Sequence, residues 1–303
     1  MVTLLGGTGI LGRLSAIALA KRGFSVRVVG RHASARPWPA WPQIHGVAAD
    51  IRNPASLARA LQGSHSVHVG LANGLMPANE DGFETQALKR VIEIGKHSNW
   101  SCLTFHSASW VNQTHAGQPL ARGKWESEEA LRWSGLPFVI IRSGLAMETL
   151  PRFVYQNRVR IMNRHAQTFR LTAGKDIAAL ISHIHTEGDI LDKTLYACGP
   201  EALTLKSSLI RYCTGLQPLV KVKSLPRWLL AWSAGRRGPA DWRDIVSFLN
   251  FLEKVGEAPN QPDGFTLMGL TPMNLHAWCK EKSQSSKDLS GLYRRDHSNL
   301  TSI

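Results

Sequence analysis

The sequence predicts an α/β fold: a doubly wound parallel sheet with helices on both faces, and a smaller carboxy-terminal α/β lobe. Two observations predict the sheet. Short apolar runs of strand length alternate with stretches of helical periodicity as far as about residue 145, and the first alternation is joined by a glycine-rich turn. The second lobe follows from length, since 303 residues exceed the roughly 100 to 200 of one ordinary domain.

The first unit is the most informative. Val2-Thr3-Leu4-Leu5 reads as a strand. Gly6-Gly7-Thr8-Gly9-Ile10-Leu11-Gly12 follows, then Leu14, Ile17, Ala18 and Leu19 at helical spacing as far as Lys21-Arg22-Gly23. Phe24 to Val29 is the next strand, so the glycines sit inside a βαβ unit, the context that gives such a motif meaning. One glycine permits the tight turn, one lets the backbone approach a pyrophosphate, and one lets the helix pack closely on the strand. The phosphates then meet free N–H groups and the positive end of the helix dipole. Gly6, Thr8, Gly9, Ile10, Leu11 and Gly12 are therefore candidate cofactor-binding residues.

The second strand ends Val29-Gly30-Arg31-His32, where a site for the unphosphorylated dinucleotide would carry Asp or Glu for the ribose 2′-hydroxyl. A guanidinium pairs with a 2′-phosphate that a carboxylate would repel. Arg31, aided by Arg36, thus argues for NADP(H) over NAD(H); a solvated surface arginine is the alternative reading.

The alternation continues with a strand at Gly46 to Ala49, a turn at Asp50-Ile51-Arg52-Asn53-Pro54, and a helix to Leu61 capped by Asn53. Strands are predicted at Val67 to Gly70, Ser101 to Phe105 and Phe138 to Ile141, with helices from about Glu80 to His97 and from about Gly123 to Trp133 between them. Such a succession makes a sheet covered on both faces. The division is then 1–145 for the nucleotide domain and 146–283 for the carboxy-terminal lobe, with the chain re-entering the core near 174–200. The polar segment 284–303 is expected to be a flexible tail.

Composition narrows the class. With 43% apolar and 8% aromatic residues the chain is globular, neither disordered nor collagenous. It contains no run of about 18 apolar residues and opens without a secretory signal pattern. Cys102, Cys198, Cys213 and Cys279 lie far apart without a Cys-x-x-Cys pair, which suggests neither a disulfide framework nor a zinc site and fits a cytoplasmic protein. His183 and His185, two apart on a predicted helix, point to different faces, so no metal is assigned. The net charge of +14 favours anionic partners. No compact basic helix or nucleic-acid module accompanies it, which sets nucleic acid aside. Trp228 and Trp232, followed by Arg236 and Arg237, read either as a packing helix of the second lobe or as an interfacial helix peripheral to an anionic membrane. Asp241 to Val255 reads as its core-facing partner, with Ile245, Phe248, Leu249 and Leu252 inward.

Three segments carry a family resemblance: the Gly6 to Gly12 turn, Ala49-Asp50-Ile51-Arg52-Asn53-Pro54, and above all Lys124 to Gly144 (KWESEEALRWSGLPFVIIRSG). Over about residues 1 to 275 the chain resembles the atypical branch of the short-chain dehydrogenase/reductase superfamily, the NAD(P)-binding, NmrA-like and complex I accessory-subunit-like proteins, whose nucleotide domain is of Rossmann type. The resemblance implies adenine contacts from Asp50 and Ile51, ribose contacts from Gly70 and Leu71, and a substrate-facing carboxy-terminal lobe. It implies catalytic roles for Lys124, also a nicotinamide-ribose contact, and for Ser107, which would orient substrate. The superfamily's proton-transferring tyrosine, four residues before the lysine, is Leu120, and leucine exchanges no proton.

Lys124 has three readings: a cofactor contact alone, a general acid or base with its pKa lowered by burial, or a surface lysine paired with Glu128 at i+4. His106 and His115 are further titratable groups in this region, each equally readable as a satisfied structural residue. Two functions of different class follow. One is an NADP(H)-dependent oxidoreductase acting on a small organic substrate; the other is a non-catalytic NAD(P)H redox sensor or an assembly or accessory protein of a respiratory or quinone-related complex.

Overall fold

The computed structural model describes residues 1–71, 82–117, 119–155, 157–162, 167–188, 190–225, 247–248, 250–252, 254–257 and 263–284. The Trp228 to Arg237 segment, Glu80, and the tail from 285 onward lie outside the described residues, as do Ile245 and Leu249.

A parallel sheet of seven strands forms the core, in the order β10-β6-β5-β4-β1-β2-β3. Its strands are β1 (Val2–Leu5), β2 (Val26–Gly30), β3 (Ile44–Ala48), β4 (Ser66–Val69), β5 (Leu103–Ala108), β6 (Phe138–Ser143) and β10 (Lys193–Ala197). The order runs one way from β1 to β3 and the other way from β4 outward. A topological switch point therefore lies between β1 and β4, where ligands bind beyond the carboxyl ends of the strands.

Alternation of side chains splits each strand between two cores. Leu4, Val28, Val139 and Ile141 meet the face covered by α1 (Ile10–Lys21) and α5 (Gly174–Thr186), which pack on each other. Leu5, Val29, Phe105 and Ile140 meet the other face, covered by α2 (Pro54–Leu61), α3 (Phe83–Gly95) and α4 (Pro119–Arg132). Asn53 caps α2, its side chain accepting from the Ser56 N–H at 3.0 Å.

Several boundaries differ from the sequence reading, among them β3, which begins at Ile44, and β6, which runs to Ser143; two of the differences have identifiable reasons. Helix α4 begins at Pro119 rather than near Gly123, because proline suits the first helical turn, where its missing N–H costs nothing; Leu120 thereby falls in that turn. Strand β5 continues to Ala108 rather than stopping at Phe105, in register with β6 from His106↔Ile141 to Ala108↔Ser143. Polar His106 and Ser107 extend it because each finds a hydrogen-bonding partner, Ser143 and Glu128 respectively.

Beyond β6 the chain forms a 3₁₀ segment (Met147–Phe153), β7 (Val154–Tyr155), β8 (Arg158–Met162) and β9 (Thr168–Arg170), and then returns to the main sheet through α5 and β10. It leaves again as β11 (Ala202–Thr204), α6 (Leu205–Leu216) and β12 (Lys221–Leu225), with α7 (Gly264–Leu267) and α8 (Leu275–Gln284) following. Strand β8 is central in a three-stranded sheet, antiparallel to β7 and parallel to β12. A separate core unites Leu150, Phe153, Val159, Phe169, Tyr212 and Trp278 with Phe248, Phe251 and Leu252. Among the described residues, no helix is long and apolar enough to cross a membrane.

Candidate functional site

The glycine turn joins β1 to α1 at the switch point. A Cβ on Gly12 would lie 2.2 Å from the Gly6 carbonyl oxygen and 2.6 Å from Gly7 Cα. Gly6 has φ +86°, and a Cβ there would lie 2.2 Å from the Gly70 carbonyl oxygen. These two glycines are demanded by the backbone itself. Gly9 is different, because a Cβ there meets nothing nearer than 3.4 Å, so what its small size leaves open is the approach to α1. The α1 N-cap is Gly9, with no side-chain cap and no acid in the first turn. Among the described residues the opening N–H groups of the helix have no side-chain claimant, an arrangement that fits a phosphate. Ile10, at the first helical position, is 47% exposed, while Leu11 packs against the α1/α5 core.

Cations gather beside this turn. Arg36 donates to the Thr8 carbonyl oxygen at 3.2 Å. The Arg13 guanidinium lies 4.3 Å from the Trp38 ring centroid; burial first, and then the Arg36 charge, hold its pKa below the ordinary arginine value. Arg31 is exposed at the end of β2. Arg36 thus holds the turn at Thr8, Arg13 lies within reach of its charge, and Arg31 stands at the end of β2. Asp50 is turned to Arg52, accepting from its backbone N–H at 2.9 Å and from its guanidinium at 3.2 and 3.3 Å. Those hydrogen bonds hold the Asp50 carboxyl below its usual range, and the Arg31 charge adds to the effect. Ile51 and Leu71 pack against the α2/α3/α4 core, and the Gly70 N–H donates to the Leu5 carbonyl at 3.0 Å.

Lys124 lies on α4. Its Nζ donates to Glu84 Oε1 at 2.6 Å and to the His106 carbonyl at 3.0 Å, and sits 5.2 Å from the Phe105 ring centroid. The i, i+4 pair with Glu128 is not formed; the partner comes from the first turn of α3, forty residues away. Burial pushes the Glu84 carboxyl up, against the pull of the Lys124 ammonium. Glu128 instead faces the sheet. Ser107 Oγ donates to its Oε1 at 2.5 Å, Arg142 to both of its oxygens at 3.0 and 2.6 Å, and Arg132 to Oε2 at 2.7 Å. Ser107 is thus enclosed and its proton committed to Glu128.

Two residues on, Ser109 Oγ donates to Glu257 Oε1 at 2.9 Å, and the Arg170 N–H donates to Glu257 Oε2 at 2.7 Å. Burial pushes the Glu257 carboxyl up. His106 Nε2 is 2.8 Å from Ser143 Oγ, and His115 Nδ1 is 2.8 Å from the Trp110 carbonyl.

Over residues 6–187 the chain matches the NAD(P)H-binding family. The chain belongs to that family.

Solved structures of similar fold include NADPH-dependent quinone oxidoreductase from Escherichia coli in complex with NADPH, 20% identical with a TM-score of 0.73 and covering 93% of this chain and 99% of that one. A nucleoside-diphosphate-sugar epimerase from Staphylococcus aureus is 16% identical, with a TM-score of 0.73 and coverage of 92% and 99%. Triphenylmethane reductase from Citrobacter sp., complexed with NADP(H), is 15% identical, with a TM-score of 0.72 and coverage of 91% and 97%. A comparison with curated proteins gives no match. For an NAD(P)H-binding protein the cofactor class is a nicotinamide dinucleotide.

Four residues of this site escape sequence reasoning. Arg13 left a trace: a cation in the first turn of a helix opposes the dipole and therefore invites an external anion. Glu84 and Glu257 left none, because their partners lie 40 and 148 residues away, and Glu128 was legible only as an i+4 partner of Lys124, not as the partner of Arg142 14 residues on. Among the described residues no cluster of three or more His, Cys, Asp or Glu could hold a metal ion. His183 and His185 indeed serve different neighbours, Ala179 and Ser66.

Proposed function

We propose that this protein is an NADP(H)-dependent reductase of a small organic substrate. The observation that carries the reading is the cationic surround of the turn: Arg36 donates to the Thr8 carbonyl, Arg13 stacks on Trp38 within reach of the Arg36 charge, and Arg31 is exposed at the end of β2. Like charges held together on a phosphate-binding turn gain from a further anion, and a 2′-phosphate is that anion. When bound, the cofactor supplies the hydride. Arg31, Arg36 and Arg13 hold its 2′-phosphate; Gly6, Thr8, Gly9, Ile10, Leu11 and Gly12 receive the pyrophosphate; Asp50, Ile51, Gly70 and Leu71 border the adenosine.

In this reading Lys124, ion-paired to Glu84, is a fixed cation toward the nicotinamide ribose rather than an acid or base. Ser107 is a positioning residue that locks β5 to α4 through Glu128. Leu120 holds no proton, so the task falls to Glu257, whose carboxyl is pushed up by burial against the hydrogen bonds from Ser109 and Arg170, and which touches Ser109 at the carboxyl end of β5. The ion-paired state of Lys124 and the presence of Leu120 also favour a second reading, a non-catalytic NADP(H) sensor.

Calorimetric titration with NADPH, NADP⁺, NADH and NAD⁺, on wild type and Arg31→Ala, tests the cofactor assignment. Quinones and triphenylmethane dyes, the substrates named for two proteins of similar fold, then form the first turnover screen, with Glu257→Gln and Lys124→Ala as controls. Arg31-dependent NADPH binding with turnover that Glu257→Gln abolishes supports the reductase. Binding without turnover on any electrophile selects the sensor, and no binding of any nucleotide overturns both.

A further inference from the structure

The carboxy-terminal lobe carries a charge pattern that the nucleotide site does not use. In the ladder of β8 and β12, Lys221 lies opposite Arg158 and Lys223 opposite Arg160. The alternate residues Val159 and Ile161 are buried, and Val222 packs against the same core. Period-two alternation therefore places Arg158, Lys221 and Lys223 together on the outer face, where all three are exposed. Like charges directly opposite one another destabilise a ladder; Arg158 opposite Lys221 is such a rung, and Lys223 follows Lys221 on the same strand. Among the described residues no ion pair relieves Arg158, Lys221 or Lys223.

Lysines on an edge strand are an ordinary defence against edge-to-edge pairing, and β12 is an edge. That defence does not explain Arg158, which lies where β8 is paired on both sides, with Lys221 of β12 and with Tyr155 of β7. A second observation stands beside the array. Leu219, two residues before Lys221 in the turn that leaves α6, is 89% exposed, more than any other large apolar side chain described.

We propose that this face, with Leu219 at its rim, docks the protein on a membrane surface rich in anionic phospholipid. Cations near such a surface each raise the partition coefficient about five-fold, while an apolar side chain enters the boundary between headgroups and acyl chains. Leu219 decides between polyanions, because a leucine gains nothing against a phosphodiester backbone. None of these residues belongs to the nucleotide site, so the inference stands apart from the reductase reading.

The test is co-sedimentation of the full chain with vesicles of phosphatidylcholine alone or mixed with phosphatidylserine, at low and high salt. Wild type binds the mixed vesicles at low salt and leaves them at high salt. The triple variant Arg158→Ser/Lys221→Ser/Lys223→Ser binds about a hundred-fold more weakly, and Leu219→Ser about ten-fold more weakly, both with unchanged NADPH affinity. Lys221→Glu adds an independent arm: it replaces a repulsive rung by an attractive one, so its thermal midpoint rises while vesicle binding falls. No binding to mixed vesicles at low salt, equal binding to both vesicle types, or unchanged binding by the triple variant overturns the proposal. So does displacement from vesicles by duplex DNA with no effect of Leu219→Ser, which would make nucleic acid the partner.

Discussion

Arg142 Nη2 lies 2.6 Å from Glu128 Oε2 and its Nε 3.0 Å from Oε1, a two-pronged pair between β6 and α4 in which the carboxylate is fully buried and the guanidinium side chain 10% exposed. Arg142 also donates to the Tyr196 hydroxyl on β10 at 2.8 Å, so one ion network ties α4 to three strands. Removing one member leaves the others buried without compensation. Glu128→Ala is therefore expected to cost about 3 to 5 kcal/mol, read as a lower midpoint in urea unfolding. Glu128→Leu combined with Arg142→Met, which removes both charges, recovers more than half of that loss. Because Lys124 sits one helical turn before Glu128, the single variant is also expected to weaken NADPH binding, checked by calorimetric titration.

The two kinds of glycine in the turn separate stability from ligand approach. Gly12→Ala drives a methyl into the Gly6 carbonyl and is expected to lower both thermal stability and cofactor binding. Gly9→Val has room in the fold but fills the approach to the unclaimed N–H groups of α1. It should unfold within about 1 kcal/mol of wild type and lose cofactor binding. A folded Gly9→Val with unchanged affinity would reject the phosphate assignment.

This turn was legible because its demands are local: tight backbone approach, a positive φ, and a helix opening without a cap are written in neighbouring residues. The Lys124 to Gly144 signature was legible as a motif but not as wiring. Lys124 and Glu128 share an i, i+4 spacing that predicts a mutual pair, yet the sheet supplies Arg142 beneath Glu128 and α3 supplies Glu84 beside Lys124. Tertiary partners outcompete a surface pair worth only tenths of a kcal/mol. For the same reason β5 outran its apolar stretch: His106 and Ser107 are polar, but their partners are on other elements.

Under the proposed function, Arg13 is expected to separate the dinucleotides. A hydrogen bond to a charged group contributes about 1.5 to 3 kcal/mol, so Arg13→Ala should weaken NADPH binding roughly ten- to a hundred-fold while leaving NADH affinity nearly unchanged. Loss of the stack on Trp38 costs the fold only about 0.5 to 1 kcal/mol. Parallel titrations of both nucleotides check the ratio, and equal weakening of the two would place Arg13 away from the 2′-phosphate.

Lys124 and Glu84 form a largely enclosed pair, 19% and 6% exposed. Lys124→Met strands the Glu84 carboxyl, whose pKa burial already raises. A carboxyl with a folded pKa above its unfolded value contributes stability below the unfolded value and loses it as pH rises through the folded one. The variant should therefore be about 3 kcal/mol less stable than wild type at pH 8 and nearer to it at pH 5. Adding Glu84→Gln should remove most of that pH dependence, measured by urea unfolding at both pH values.

Acid sensitivity should come chiefly from three histidines under the sheet. The Thr104 hydroxyl bridges His68 Nδ1 at 2.8 Å and His185 Nε2 at 3.1 Å, His185 Nδ1 is 2.9 Å from Ser66 Oγ, and the His68 and His106 rings are 6.4 Å apart. Burial lowers His68 to about 4 and His106 and His185 to about 3, with mutual repulsion adding to the last two. Folded values below the unfolded one near 6.5 mean that unfolding takes up protons, so stability present above pH 6.5 falls as pH drops toward 4. At pH 5 the three together cost about 6 kcal/mol, comparable with the whole stability of an ordinary domain. Glu84, Glu148 and Glu257, raised by burial, oppose this by gaining stability as pH falls. The difference between wild type and a variant isolates the histidine effect. His185→Asn should reduce the slope of unfolding free energy between pH 6 and 4.5 by about 1.4 kcal/mol per pH unit, one proton's worth, and an unchanged slope would mean that His185 is already charged in the folded protein.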